Sequence, residues 1–192
     1  MAVSYDLARA AVAERLSASA LAHSERVAQT AGELAERFGV DVERARLAGL
    51  LHDWHRELGA AELVARARVA GIPVTGVDED VPYLLHGPLA RVDLPQALPG
   101  VPDDVCEAIG AHTYGTVPMS PLAMVVYIAD VIEPGRTYSG VERLRERVAD
   151  ASLEELFLDT YAASLKHIVK RRRPMHPETL RVWNAIVASD GR

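Results

Sequence analysis

A histidine and an aspartate stand side by side at the end of an apolar run, Leu50-Leu51-His52-Asp53-Trp54. An imidazole nitrogen and a carboxylate oxygen both ligate divalent or trivalent metals. Neighbouring residues on a helix point about 100° apart, so the pair can grip one side of an ion and leave the other side open. Alone, the dipeptide reads first as a capped helix end, with Asp53 solvated and His52 a hydrogen-bonded core residue. The positions of His23, His86, His112 and Asp130 change that reading.

Each of these residues needs an element to carry it. Helical periodicity is nearly continuous and is broken by Gly and Pro. Ser4 is placed to cap a first helix running to about Leu16. A second is expected from near Ser19 to Gly39, with His23, Val27, Ala31, Leu34 and Phe38 as its inward stripe. Asp41 caps a third, whose stripe Ala45, Ala48, Gly49, His52 is made of small residues that let a neighbouring backbone come close. A fourth runs from Ala60 to Ala70 and stops at Gly71. Residues 71–82 read as loop. His86-Gly87-Pro88 reads as the entry to a short helix, with Pro95, Pro99 and Pro102 making the following stretch irregular.

Asp103 opens a helix with the stripe Val105, Ala108, Ile109, His112, and Tyr114 to Pro118 is loop. Ser120 and Pro121 give the clearest helix start, with Met119 and Met124 spaced as a hydrophobic staple. From Leu122 to Ile132 that helix is apolar on nearly every side and is predicted to be buried, with Asp130 inside it. Three more helices are expected near 140–149, 153–170 and 178–188. The basic run Lys170 to Arg173 reads as solvated charge at a helix C-terminus.

A lone histidine on an apolar face is more often a satisfied core residue than a ligand. His23, His52 and His112 share the same placement, and Asp130 is a carboxylate whose burial demands a cation or strong donors. A metal would supply the cation; Arg136 and Arg143 are the competing partners. The totals allow a metal centre. The chain has 192 residues, few aromatics and a net charge of −6. That is enough for one helical domain with a real core, and the charge argues against a broad nucleic-acid or membrane surface. The longest apolar stretch is too short to span a bilayer. No signal peptide is visible. Cys106 is the single cysteine, which points to a reducing compartment, taken as the cytoplasm.

The order His23 … His52-Asp53 … Asp130 resembles the signature of HD-domain metal-dependent phosphohydrolases. Longer blocks carry the resemblance across nearly the whole chain: Ala48-Gly49-Leu50-Leu51-His52-Asp53, Leu85-His86-Gly87-Pro88, and Ala108-Ile109 with His112-Thr113-Tyr114-Gly115. They continue with Met119-Ser120-Pro121-Leu122, Tyr127-Ile128-Ala129-Asp130-Val131-Ile132-Glu133-Pro134-Gly135-Arg136, and His176-Pro177-Glu178-Thr179-Leu180 with Asn184. Together these are similar to the YqeK family of HD proteins, which are symmetrical dinucleoside-tetraphosphatases.

The resemblance implies an all-α fold: a single HD-domain helical bundle over 1–192, with the metal-site core at about 19–136 and additional C-terminal helices at about 140–188. It implies iron, with a second ion allowed by His86 and His112, and cleavage of diadenosine tetraphosphate in the middle to give two ADP. His23, His52, Asp53 and Asp130 take the four HD positions, and His86 and His112 the two additional histidine positions. Arg56 stands where the family usually has lysine, and Arg136 matches an arginine that faces the phosphates. Two departures matter. Ala20 replaces a common arginine, leaving Arg26 as a candidate for that contact, and Arg56 turns a point charge into a planar fork. His55 is not counted as a ligand.

Chemistry and resemblance then combine. A bound metal lowers the pKa of its water and acts as a Lewis acid, and two ions about 3.5–4 Å apart can share one activated water. Four His and two Asp suit iron, manganese or zinc more than magnesium. Asp53 and His52 are the expected catalytic pair. Arg56, His86, Thr113 and Arg136 are the expected substrate contacts, with Thr113 equally placed to cap its loop and Glu133 either supporting the site or lying at the surface. The rivals are another HD phosphohydrolase activity (5′-nucleotidase or guanosine tetraphosphate hydrolase), a non-catalytic nucleotide sensor, and a helical protein with metal-free buried histidines. The expected partner is a nucleotide polyphosphate, not nucleic acid or membrane, with a homodimer left open.

Overall fold

The computed structural model describes residues 3–189; residues 1, 2 and 190–192 of the expected 1–192 domain lie outside the described residues. The order is α1 Tyr5–Ala13, α2 Ala18–Phe38, α3 Val42–Leu51, α4 Ala60–Val69, α5 Gly76–Asp80, a 3-10 turn Pro82–Leu85, α6 His86–Ala97, α7 Asp103–Ala111, α8 Pro121–Ile132, α9 Val141–Arg147, α10 Leu153–Lys170 and α11 Pro177–Ser189. Among the described residues there is no strand, so the fold is all-α. None of these helices is long and apolar enough to cross a membrane.

Helix starts follow the side-chain oxygens that can accept from a free backbone N–H. Ser4, Ser17, Asp41 and Ser120 accept from the amides of Leu7, Ala20, Arg44 and Ala123. Gly39, at φ 69°, closes α2 in the left-handed conformation that glycine adopts without strain. The α2–α3 pair is the tightest joint. A Cβ on Gly49 would stand 2.8 Å from the Cα of Ala28 and 3.0 Å from the carbonyl oxygen of Val27. Only glycine permits that approach, and it sets the helix carrying His23 against the helix ending in His52.

Helix α8 is buried as its sequence predicts, with Val125, Val126, Ile128 and Ala129 fully enclosed. It packs on α2, α3 and α7 and is covered by α10, where Tyr127 meets Phe157 and Tyr161 at ring separations of 5.5 and 5.3 Å. A smaller apolar cluster, Leu63, Ala67, Leu85 and Leu89, fixes α4 against the 3-10 turn and the start of α6.

Three expectations are corrected. The first helix ends at Ala13, not near Leu16. Residues 71–82 are not all loop: Thr75 and Asp78 form a reciprocal capping box that starts α5. Helix α6 is longer than expected and runs through Pro95 to Ala97. That proline forfeits one intrahelical bond, the one an amide at position 95 would give to the Arg91 carbonyl, and buried Leu89, Ala90 and Leu94 hold the helix to the core.

Candidate metal centre

His52, His86 and His112 occupy the same local position: each is the C-cap residue of a helical segment, of α3, the 3-10 turn and α7. A helix end leaves its last carbonyls without intrahelical donors. Each imidazole answers with Nδ1, which lies 2.7 Å from Gly49 O in His52, 2.5 Å from Tyr83 O in His86 and 2.7 Å from Ile109 O in His112. A carbonyl can only accept, so Nδ1 carries a hydrogen and Nε2 is left to take a proton or to give its lone pair to a metal. His23 lies inside α2, where backbone carbonyls are already committed. Its Nδ1 is 3.1 Å from Oε1 of Glu133.

The four Nε2 atoms converge on Asp53. Its Oδ2 lies 3.8 Å from His23 Nε2 and 3.4 Å from His52 Nε2. Its Oδ1 lies 3.0 Å from His86 Nε2 and 3.9 Å from His112 Nε2. Asp130 closes one half, with Oδ1 at 3.0 Å from His23 Nε2 and 3.8 Å from His52 Nε2. The Asp53 carboxylate therefore stands between a His23–His52–Asp130 half and a His86–His112 half. Two ligand sets, His23, His52, Asp130 and His52, Asp53, His112, each have donor atoms within 4.8 Å of one another.

The donor set fits a cation. His52 Nε2 is fully buried and has no hydrogen-bond partner. His86 Nε2 and His112 Nε2 face each other at 2.8 Å; with both Nδ1 atoms donating, that approach requires a shared proton or a cation. Burial, with His86 and His52 alongside, pushes His112 down to about 3, so it is neutral. Burial works against a proton on His52, yet the Asp53 and Asp130 carboxylates raise it to about 9. Burial would push Asp53 up, but His52 and His86 hold it far below the usual carboxylate range. Both carboxylates are thus anions, since burial of Asp130 is likewise outweighed by His23, His52 and Arg136.

Three half-exposed arginines lie beside the cluster. Arg56 Nε is 3.8 Å from Asp53 Oδ1, and its guanidinium lies 4.6 Å over the Tyr83 ring. Arg136 donates to the Asp130 carboxylate and lies 3.3 Å from His23 Nε2. Of the two competing partners for Asp130, Arg136 therefore takes it, while Arg143 is exposed. Arg26, the candidate for the contact absent at Ala20, is paired with Glu133, its Nε 2.6 Å from Oε2. Thr113 lies beside His112, and its buried hydroxyl has no partner; it does not cap the loop. His55, excluded as a ligand, turns to the other side of its helical turn and binds Asp93 at 2.8 Å.

Several supporting residues were open or invisible in the sequence. Glu133 is buried, not superficial. Arg145 of α9 clamps the turn after α8, donating to the carbonyls of Ile132 at 2.8 Å, Glu133 at 2.6 Å and Arg136 at 2.9 Å. The Tyr161 hydroxyl of α10 donates to Tyr114 O at 2.7 Å and braces the loop after His112. The usable signal for three of the histidines was their spacing from a helix end, where a spare carbonyl three residues back can fix the ring.

The HD-domain family matches residues 20–135, more than half of the chain, and the chain belongs to that family. The similarity extends beyond those bounds. A Bacillus subtilis protein named symmetrical bis(5′-nucleosyl)-tetraphosphatase is 32% identical, over 94% of this chain and 96% of its own. A Staphylococcus aureus protein of the same name is 29% identical, over 93% and 92% respectively. A crystal structure from Clostridium acetobutylicum, described as that of a predicted HD superfamily hydrolase involved in NAD metabolism, matches with a TM-score of 0.89 at 32% identity, covering 98% of this chain and 100% of that one.

Proposed function

We propose that this chain is a metal-dependent hydrolase that splits symmetrical dinucleoside tetraphosphates, converting diadenosine tetraphosphate and water into two ADP. One observation carries the chemistry: four imidazole Nε2 atoms gather around the ionised Asp53 and Asp130 carboxylates, with Arg56 and Arg136 beside them. The names of the full-length relatives support the substrate.

His23, His52, Asp53 and Asp130 would hold one ion, and His86 and His112, with the other Asp53 oxygen, a second. The mixed nitrogen and oxygen set supports iron, with manganese or zinc as alternatives. The bound metal supplies Lewis acidity toward phosphate oxygens and lowers the pKa of water. Asp53 remains an anion at neutral pH, so it ligates and orients the attacking water by accepting its hydrogen bond, and does not act as an acid. Arg56 and Arg136 grip the flanking phosphates, Arg136 trading its contacts with Asp130 and His23 for phosphate oxygens. Thr113 brings an unspent hydroxyl donor next to His112. The water oxygen bonds to one inner phosphorus as the central P–O bond breaks, and the bridging oxygen leaves with the second ADP. Cys106, buried and unpaired, fits a reducing cytoplasm.

The test is incubation with diadenosine tetraphosphate, guanosine tetraphosphate and mononucleotides, with and without added iron or manganese, followed by chromatography. ADP as the sole nucleotide product of the symmetrical substrate is the expected result. Release of phosphate or pyrophosphate from the other substrates, with diadenosine tetraphosphate untouched, would overturn it.

A further inference from the structure

Of the four imidazoles at the centre, three are steered by main-chain carbonyls and one by a side chain. His23 sits within α2 and has no spare carbonyl. The Glu133 carboxylate serves it instead, across more than a hundred residues of chain. Glu133 is 1% exposed. Its charge is met by Arg26, through Nε at 2.6 Å to Oε2 and NH2 at 3.3 Å to Oε1, and by the Gly135 amide at 2.5 Å to Oε2. A Cβ at residue 135 would come within 2.6 Å of the Arg26 guanidinium, so a glycine there is what lets Arg26 lie across the turn.

The two kinds of support differ chemically. A carbonyl fixes the ring and its tautomer. A carboxylate does that and also strengthens Nε2 as an electron-pair donor, because hydrogen bonding to an anion raises the basicity of the ring. Arg26 balances the charge of the buried carboxylate. We infer that Glu133 and Arg26 are positioning residues that set the metal affinity of the His23–Asp130 half of the centre independently of the His86–His112 half. The Arg26 guanidinium is partly exposed, so the Glu133 support behind His23 reaches the surface through that ion pair.

This inference rests on the reading of the centre as a metal site. Metal-free full-length protein would be titrated with Mn2+, and binding classes and stoichiometry compared among wild type, His23→Ala, Glu133→Gln, Arg26→Gln and Arg26→Lys. Histidine nitrogen NMR would report the His23 tautomer. Glu133→Gln keeps an accepting oxygen near Nδ1 and removes the charge. It is expected to weaken, by about 10–100-fold, the binding class that His23→Ala abolishes, and to leave the other class intact. Arg26→Gln should weaken the same class, and Arg26→Lys, which keeps the charge, should restore most of it. The thermal midpoints of the metal-free variants show that each is folded. Unchanged affinities in Glu133→Gln would overturn the inference while leaving the centre standing. No Mn2+ binding by wild type would overturn the metal reading itself.

Discussion

Two buried histidines, each with an aspartate partner, leave the same turn in opposite directions. His52 and Asp53 face the centre; three residues on, His55 faces away and meets Asp93 of α6. The His55 pair is closed to further ligands: Nε2 lies 2.8 Å from Asp93 Oδ2, Nδ1 is buried without a partner, and among the described residues no candidate metal-ligand group includes it. The His52 pair is open: Nδ1 is spent on Gly49 O, and Nε2 is left bare among three other imidazoles and two carboxylates. A buried histidine with an acidic neighbour is therefore not what defines the centre. Its mark is the convergence of four imidazoles and a second carboxylate on Asp53.

The strongest way to break the contrast is Asp53→Ala. Asp53 faces all four imidazoles, so its loss should remove bound metal and reduce tetraphosphate hydrolysis by more than about 100-fold, the upper end for losing only a supporting partner of a ligand. Metal analysis and product chromatography check both. Wild-type rates in this variant would end the hydrolytic reading.

Gly49→Ala attacks the placement of the open pair and spares its chemistry. The new methyl meets Ala28 and Val27 backbone, which cannot step aside, so α2 and α3 must separate. We expect destabilisation of about 1–3 kcal/mol, together with weaker metal binding as His23 and His52 draw apart. Denaturant titration and Mn2+ binding measure the two effects.

The closed pair gives the smallest effect. Asp93→Asn should lower stability by about 1 kcal/mol and leave metal content unchanged. The pairs also carry opposite pH signatures in chelator-treated protein. His52 is raised to about 9, so its stabilising contribution is full below its unfolded pKa of about 6.5 and is lost as pH rises toward 9. His55 is lowered, by burial that outweighs Asp93, so its contribution is present above about 6.5 and is lost as pH falls below it. Unfolding free energies across pH 5 to 9.5 should show His52→Gln flattening the alkaline limb and His55→Gln the acidic one.

These residues also show why some of the molecule was readable in the sequence. His23, His52 and His112 announce themselves because each lies on or ends an apolar stripe, and Asp130 because it interrupts one. Ser4, Asp41 and Ser120 act over three residues, so their caps are legible locally. The small stripe at Ala45, Ala48 and Gly49 foretold a close helix contact, and the His-Thr-x-Gly and Glu-Pro-Gly-Arg blocks carried the family resemblance. The link from Arg26 through Glu133 to His23 was hidden, because its partners are more than a hundred positions apart and each looks like ordinary surface charge. Pro95 misled in the other direction: local punctuation predicted a break, and buried leucines on the same helix overrode it.

The turn after α8 and the loop after His112 are both held from outside the span that defines the family, by Arg145 and Tyr161. A fragment trimmed at residue 135 would retain all six candidate ligands yet forfeit the props behind two of the segments that aim them. Helices α9 and α10 are thus a buttress for the centre, and removing them should disorder its chemistry without touching a single ligand.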